Sequence, residues 1–525
     1  MLFRSFGQES RVLTGTATLN IAGALQLHGG FAFSQSTTPK TITVSKNTTH
    51  TSTEVRLTTF GFQNVSAFFG DGPYFRDSNN DGTITDDDTP NPNAAGLLIS
   101  DGSLAVACFT PTAATNPARY YAVRATLSEL SMPGLINLSS DSSFNLQAGG
   151  YRVELNRGNT AADGGAVNFA RSYETTPNAR DGALQVATSP TSFVTFNYTS
   201  ALERVAIEHA MLRISDYVHV SGGFSVTRQQ MSVTLNNSLH STVAVNTMVF
   251  GAGNVNLFVG SGPYFEDTNS DGIIDNTDTL NPDAVGLAIE NANFALMLMS
   301  RATGGGTGPK YKALKATASR IGLVGIDNVK LSASDLQIEY NDVSNPSDAS
   351  DTTVVDFTRL DGGHYTADTG AGSLTFDYNQ ARLLAQVSNA QLQIESNVFI
   401  QGGLAFTKLA PQTVSMSNGS LKEVSGFSLG ASNVTVFAGT NGPYWLDSTG
   451  QHLNDDAIGV SLENTDVALT VLRPTVTSDK TRYTALNASS GFFGFVGFNA
   501  FNLEASSISV RMNVDRKSTR LNSSH

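Results

Sequence analysis

The amino-acid sequence predicts an all-β protein made of tandem repeats. Apolar and polar residues alternate over long stretches, whereas no segment keeps the 3.6-residue period of an amphipathic helix. Gly, Ser, Thr and Asn are abundant, as in chains with many strands and turns. Distinct landmarks also recur in the same order, with Pro73, Pro263 and Pro443 at offsets of 190 and 180 residues. We therefore expect one structural unit, copied nearly three times.

The first landmark of each copy is an alternating apolar run around a Gly-Gly pair. The three runs share one parity throughout, which predicts that their apolar side chains lie on one face of a sheet. They are Leu19, Ile21, Leu25, Leu27, Phe31 and Phe33; Leu212, Ile214, Val218, Val220, Phe224 and Val226; and Leu392, Ile394, Val398, Ile400, Leu404 and Phe406. Each run covers fifteen residues, which is long for one strand. Because Gly23 and Gly29 interrupt it, corners are expected there. The pattern predicts an elongated β-solenoid-like structure with few helices; tandem β-sandwiches are the alternative.

The second landmark is an acidic loop. It reads "GPYFRDSNNDGTITDDDTPNP" at 72–92 and "GPYFEDTNSDGIIDNTDTLNP" at 262–282, and a divergent form, "GPYWLDSTGQHLNDDAIGV", begins at residue 442. After each loop come a basic-aromatic segment ("RYYAVRAT", "KYKALKAT", "RYTALNAS") and a strand that ends in Asn156, Asn341 or Asn513. The pentapeptides "VTFNY" (194–198) and "LTFDY" (374–378) also correspond.

These landmarks divide the chain into five parts. They are an N-terminal segment (1–10), copy one (11–200), copy two (201–380), a truncated copy three (381–514) and a tail (515–525). The tail, "DRKSTRLNSSH", resembles the translation of a sequencing-adaptor oligonucleotide and is expected to be non-native. The natural chain is therefore expected to continue beyond Val514.

Composition excludes several classes of partner. The formal net charge is −13, and Lys and Arg do not cluster outside the tail. Nucleic acids and anionic membrane surfaces attract clustered basic residues, so neither is an expected partner. No apolar run reaches the 18 residues of a membrane-spanning helix. Cys108 is the sole cysteine, which leaves no intrachain disulfide.

The acidic loops carry oxygen donors at the spacing of a calcium loop. Positions 1, 3, 5, 9 and 12 supply side chains, position 7 a backbone carbonyl, and Gly82 or Gly272 the sharp turn at position 6. The candidate ligands are Asp77, Asn79, Asp81, Thr83, Thr85 and Asp88 in copy one, and Asp267, Asn269, Asp271, Ile273, Asp275 and Asp278 in copy two. Copy three keeps Asp447 but lacks the Asn-x-Asp-Gly core, so it is expected to bind no metal.

This spacing resembles the calcium loops of EF-hands and, more closely, of dockerin repeats, in which position 12 is Asp. Pro90 and Pro92 follow the first loop and block a regular exiting helix. The loops are therefore most similar to the helix-free calcium loops of thrombospondin type 3 repeats. The resemblance covers about twelve residues per copy and implies bound Ca²⁺ within a large repetitive protein of a bacterial surface.

No catalytic residue or organic cofactor site is predicted. The eight His residues include no HExxH motif, and no G-x-S-x-G sequence occurs. The sequence favours a non-enzymatic extracellular repeat protein, either a stalk or an adhesin, stabilised by Ca²⁺. Cell-surface glycans or proteins and neighbouring repeats are its expected partners. The alternative is a β-helix or β-sandwich protein that acts on or binds polysaccharide.

Overall fold

The chain is almost entirely β. The computed structural model describes residues 10–21, 25–46, 49–80, 88–113, 115–131, 144–159, 165–173, 182–214, 218–262, 264–266, 268–269, 278–302, 308–326, 329–348, 350–446, 453–476, 478–498 and 502–517. Strands account for 72% of the structure, and within the described ranges the one α-helix has four residues. The prediction of an all-β protein with few helices is confirmed.

Copy one contributes six long strands and three short ones. They are β1 (Ser10–Ile21), β2 (Leu25–Ser36), β3 (Lys40–Lys46), β4 (Thr49–Asp71), β5 (Phe75–Arg76), β6 (Thr89–Pro90), β7 (Ala95–Pro111), β8 (Tyr120–Ser131) and β9 (Phe144–Gly158). A compact segment follows, with β10 (Ala166–Val167), α1 (Phe169–Ser172), β11 (Leu184–Ala187) and β12 (Phe193–Phe196). We call residues 165–173 and 182–200 cap one, because they pack on the sheet of their own copy.

Copy two repeats this order of elements. Its strands are β13 (Leu202–Ile214), β14 (Val218–Thr234), β15 (Thr242–Ser261), β16 (Phe265–Glu266), β17 (Thr279–Leu280), β18 (Val285–Arg301), β19 (Lys310–Val324) and β20 (Val329–Ser344). Cap two, residues 353–380, contains two 3₁₀ turns (Phe357–Arg359 and Asp361–Gly363) and the hairpin of β21 (Tyr365–Asp368) and β22 (Ser373–Phe376).

Copy three contributes six long strands. They are β23 (Arg382–Ile394), β24 (Val398–Ser415), β25 (Leu421–Thr440), β26 (Ile458–Pro474), β27 (Thr481–Val496) and β28 (Glu504–Lys517). The last strand runs three residues into the adaptor-like tail, with Asp515 opposite Tyr483. Strand pairing uses backbone N–H and C=O groups, so a strand can continue through any segment that lacks Pro.

The long strands form one antiparallel meander. Each pairs with the next long strand of the chain, in the order β1, β2, β4, β7, β8, β9, β13, β14, β15, β18, β19, β20 and then β23 to β28. Short β3 and β10 extend the sheet beside β4. The copies join edge to edge, through β9 with β13 and through β20 with β23.

The fifteen-residue apolar run is a hairpin and not a single strand. In copy one Leu19 and Ile21 end β1, and Leu25 and Leu27 begin β2. Leu19 lies opposite Leu27, and Ile21 opposite Leu25. Partners in an antiparallel pair share a face, so an interval of three residues between two paired strands preserves the parity of the pattern. The corner expected at Gly23 lies outside the described residues.

In all three copies the pairing register shifts at the Gly-Gly pair, where the sequence predicted a corner. An asparagine with a left-handed backbone interrupts β4, β15 and β25 (Asn64, φ 49°; Asn254, φ 51°; Asn433, φ 50°), and the pairing register shifts beside it. The preceding strand approaches closely there. A Cβ on Gly222 would lie 2.9 Å from Val255 Cα, and one on Gly402 2.8 Å from Val434 Cγ2. Because glycine has no side chain, the two neighbouring strands can approach closely at this bulge.

Each cap covers one face of its copy with buried aromatic side chains. Phe169 in cap one and Phe357 in cap two are 0% exposed, as are Phe196 and Phe376. A helical turn with a side-chain cap starts both caps: Asn168 accepts a hydrogen bond from Arg171 N at the start of α1, and Asp356 accepts one from Thr358 N at the start of the first 3₁₀ turn. The sheet beneath supplies apolar side chains of various sizes, which include Val55, Ala105, Ala107, Phe109 and Ala122 in copy one, and Val245, Ala295, Met297, Met299 and Ala313 in copy two.

The opposite face carries the apolar residues of the period-two pattern. It is less completely covered, since Phe224 is 38%, Ile400 37% and Leu404 50% exposed. Phe60 and Phe62 of β4 are 39% and 38% exposed, and they lie opposite Phe33 and Phe31. The best-buried core of copies one and two therefore lies on the face under the caps.

Candidate metal loops

The two acidic loops project from the ends of matching hairpins. In copy one the loop closes on β5 and β6, with Phe75 opposite Pro90. In copy two it closes on β16 and β17, with Phe265 opposite Leu280. No α-helix flanks either loop within the described residues, and residues 81–87 and 270–277 of the loops lie outside them.

The aspartate at position 12 closes each loop. Asp88 Oδ1 accepts hydrogen bonds from Ser78 N at 2.8 Å and from Ser78 Oγ at 3.3 Å. Asp278 Oδ1 accepts one from Thr268 N at 3.0 Å. The residue after each aspartate donates back across the loop, from Thr89 N to Ser78 Oγ at 3.0 Å in copy one and from the Thr279 N to the Thr268 Oγ1 at 3.2 Å in copy two. Asp88 and Asp278 are only 4% and 9% exposed, so each loop holds a buried carboxylate at its closing point.

Five of the twelve predicted ligands lie within the described residues. Asp77 and Asn79 are exposed at the entrance of the first loop, with the buried Asp88 at its exit. Asn269 and Asp278 hold the corresponding places in the second loop. The other predicted ligands lie outside the described residues: Asp81, Thr83 and Thr85 in copy one, and Asp267, Asp271, Ile273 and Asp275 in copy two.

The described donors suit a hard cation. They are carboxylate and amide oxygens, which Ca²⁺ prefers, and in copy two Asn269 N donates to Asp278 Oδ1 at 3.4 Å, so positions 3 and 12 are neighbours there. Burial of an ionised carboxylate is unfavourable unless charge or hydrogen bonds compensate it. Asp88 and Asp278 would hold the ion together with the entrance residues, and the ion would add positive charge beside both acids.

An asparagine that the sequence analysis did not single out lies at the base of the loop in all three copies. Asn91 N donates to Tyr74 O, Asn281 N to Tyr264 O at 2.8 Å, and Asn454 N to Tyr444 O at 2.8 Å. In each copy the side-chain Oδ1 of this asparagine accepts a hydrogen bond from the backbone two residues later. The signal was Asn-x-[Asn/Asp]-Ala at 91, 281 and 454. Copy three therefore keeps the base of the loop although its donor sequence has diverged.

Aromatic side chains fix the loops to the sheet. The Tyr74 ring stacks on Phe68 with centroids 5.5 Å apart, and Tyr264 stacks on Phe258 at 5.4 Å. Trp445 is 8% exposed and lies 6.0 Å from Phe399. These rings pack on the protein, as expected for anchors, and are not presented as a sugar-stacking platform.

The Tyr264 hydroxyl also takes part in a polar contact. It donates to Glu290 and accepts from Arg320 Nη1 at 3.0 Å. Burial and the adjacent Glu290 carboxylate raise the pKa of Tyr264 to about 12. The hydroxyl therefore stays protonated and acts as a structural donor.

Two buried carboxylates lie between sheet and caps. Glu154 is 3% exposed and contacts Arg124 at 2.7 Å, Arg204 at 2.9 Å and Arg152 at 3.8 Å. Burial alone would raise the pKa of Glu154, but the three guanidinium groups outweigh it, and the pKa is lowered. It also accepts a hydrogen bond from the Tyr198 hydroxyl of cap one at 3.2 Å. Such a charge-paired acid holds a cap; it is poorly suited to general acid catalysis because it stays ionised.

Glu339 is the counterpart of Glu154 in copy two. It is 3% exposed and contacts Lys315 at 3.5 Å and Arg382 at 2.8 Å. Lys315 also binds Asp377 of cap two at 2.9 Å. Arg382 belongs to β23, so this cluster crosses the junction between copies two and three.

Comparisons with known proteins give no family assignment. No family model matches the sequence, and no curated protein matches it significantly. In the described part of the chain, no group of three or more His, Cys, Asp or Glu side chains is placed to hold a metal. The described helices include none with the length and hydropathy needed to cross a membrane.

Proposed function

We propose that this chain is part of a non-enzymatic extracellular repeat protein, stabilised by Ca²⁺, that serves as a stalk or an adhesin-like protein at a bacterial surface. The observation that carries this proposal is the repeated construction of the loops. The same asparagine base occurs in all three copies, and the same buried aspartate closes the first two loops. A polar turn would not need a buried acid at position 12 in both copies.

An elongated, solenoid-like array is the proposed arrangement. Each copy pairs through its edge strands with the neighbouring copy, which is how repeat proteins gain length. Side chains reinforce the junction between copies one and two: Asp368 of cap two binds Arg152 of β9, and it lies 3.5 Å from Arg204 of β13. In the alternative arrangement of tandem sandwiches, each cap would be the thin second layer of its copy.

The proposed role of Ca²⁺ is to rigidify the loops of an acidic chain. The chain has a net charge of −13 and a single cysteine, Cys108, so it cannot form intrachain disulfides. Bound cations would stabilise it as disulfides stabilise other extracellular proteins. Extracellular calcium modules have dissociation constants of about 10⁻⁴–10⁻³ M. At about tenfold excess over that constant, each site would add about 1.4 kcal/mol to the free energy of unfolding.

Thermal unfolding of matched variants tests this function. Asp271→Ala removes a predicted ligand at position 5 and should abolish the calcium-dependent stabilisation of copy two. Asp86→Ala removes the same charge from copy one at a position that the loop spacing does not use, and should leave its stabilisation intact. A melting temperature that chelator does not change would show that the loops are polar turns.

A second candidate function is polysaccharide binding or processing. The observation that favours it is the row of partly exposed aromatic rings on the face opposite the caps, which includes Phe60, Phe62 and Phe224. Flat aromatic surfaces can stack on sugar rings. Binding of the chain to immobilised glycans that is lost on substitution of Phe60 and Phe62 by Ser, with folding intact, would favour this function over a plain stalk.

A further inference from the structure

Copy three has the sheet surface that carries a cap in the other copies, and its small side chains are exposed. Ala105 of β7 and Ala295 of β18 are 0% exposed under their caps. Their counterpart in β26, Ala468, is exposed. The next strand repeats the contrast, since Ala122 and Ala313 are 0% exposed whereas Ala485 is exposed.

A glycine shows where the cap backbone belongs. A Cβ on Gly61 would lie 2.0 Å from Ala187 O of cap one, and a Cβ on Gly251 would lie 2.1 Å from Asp368 O of cap two. Glycine is thus required at both positions for close approach of the cap. The corresponding Gly430 has no atom closer than Ala405 Cβ at 3.9 Å to its added Cβ. Copy three therefore keeps a glycine at the place where a cap would approach.

An asparagine marks the two ends of the cap. Asn156 Nδ2 donates to Val167 O and Ser200 O of cap one, both at 2.8 Å. Asn341 Nδ2 donates to Val355 O at 2.9 Å and Gln380 O at 3.1 Å. One amide thus holds both the start and the finish of each cap. Asn513 occupies the same place in copy three, and it is exposed.

We propose that this face of copy three is the binding site for a capping segment of the type that residues 353–380 form. The occupant is defined by its chemistry: a Phe turn, a hairpin with the sequence Leu-Thr-Phe-Asp-Tyr, and two backbone carbonyls for the amide of Asn513. In this segment, the two phenylalanine side chains that correspond to Phe357 and Phe376 pack on Ala468 and Ala485.

Charge selects between the two known caps. Copy three has Arg511 where copies one and two have Glu154 and Glu339. In copy two, Asp377 and Glu339 both contact the Lys315 ammonium group. The residue that directly follows Phe376, which is Asp377, therefore lies close to the position of Glu339. Cap two places an aspartate there, which complements Arg511, whereas cap one has the neutral Asn197. Cap two is therefore the better occupant.

A fusion that preserves the spacing tests the proposal. Residues 342–380 are attached directly after Asn513 of the full chain in place of residues 514–525, because the same segment follows Asn341 in copy two. Hydrogen exchange of the strand segments 466–472 and 483–488 is compared with that of the unmodified chain. We expect exchange in both segments to slow at least tenfold.

Two variants of the fusion control for non-specific effects. Phe357→Ala with Phe376→Ala, made only in the added cap, should remove the protection. Gly430→Val should also remove it, since the new side chain occupies the place of the cap backbone while leaving the uncapped chain folded. Protection that persists in either variant, or no protection in the fusion, would overturn the proposal. Concentration-dependent protection of the unmodified chain would identify a second copy as the occupant and would equally overturn it.

Discussion

The Asn341→Ala variant tests how the caps are held. The amide makes two hydrogen bonds to cap two, and Asn341 is 1% exposed, so solvent cannot replace them without opening the structure. A hydrogen bond of this kind contributes about 1 kcal/mol net. Loss of both should reduce the free energy of cap opening by about 2 kcal/mol, which corresponds to about a 30-fold change in the opening equilibrium.

Hydrogen exchange of residues 353–378 measures this directly, since local opening exposes the amides of a single segment. Asn513→Ala is the matched control, because it removes an equivalent but exposed asparagine and should leave exchange throughout the chain unchanged. The reasoning would be refuted if the two variants had equal effects, or if exchange of cap two rose less than about threefold.

Three other results are expected. Gly251→Ala should destabilise copy two, because its Cβ would meet a cap carbonyl, whereas denaturant unfolding should show Gly430→Ala to be tolerated; equal losses would contradict the close approach. The lowered pKa of Glu154 means that its stabilisation is present above the unfolded value of about 4.3 and is lost as pH falls through the folded pKa. Between pH 6 and pH 3, the free energy of unfolding should therefore fall less in Glu154→Gln than in the parent chain. Identical pH profiles for the two chains would refute a stabilising role of the Glu154 carboxylate. Calcium should leave the fluorescence of Trp445, the only Trp, unchanged, because copy three lacks the donor core; a saturable shift would indicate a third site.

Local patterns in the sequence were sufficient for the all-β prediction but not for strand boundaries. Leu19 to Phe33 looks like one interrupted strand because hairpin partners such as Leu19 and Leu27 share parity. The period of two records the face of a residue and carries no information on chain reversal. An interval of three residues between two paired strands therefore cannot be recognised in the apolar pattern.

The caps could be only partly foreseen. The match between "VTFNY" and "LTFDY" indicated that the unit extends past its last long strand. What it could not indicate is that Phe196 and Phe376 fold back over the sheet, because that contact joins residues far apart in the chain. The glycines at 61, 251 and 430 did not reveal the caps either, because the need for glycine arises from a cap backbone that is distant in the sequence.

In the loops, the sequence predicted a calcium loop without helices, which stays a prediction, and the structure adds the asparagine at the loop base. Spacing alone singled out Asp88 and Asp278, and both are buried at the point where their loops close. Asn91 carried a weaker signal, because an asparagine near prolines is typical of any turn. Its hydrogen bond to Tyr74 O becomes recognisable only when the same contact is seen at Asn281 and Asn454.

Calorimetric titration of the full chain with Ca²⁺ tests the central proposal most directly. Two sites per chain are predicted, one in each of the first two loops, and the chain that carries both Asp88→Ala and Asp278→Ala should bind none. Three equal sites would show that the asparagine base, which copy three shares, is sufficient for binding. Absence of binding at millimolar Ca²⁺ would contradict the proposal of a calcium-stabilised protein.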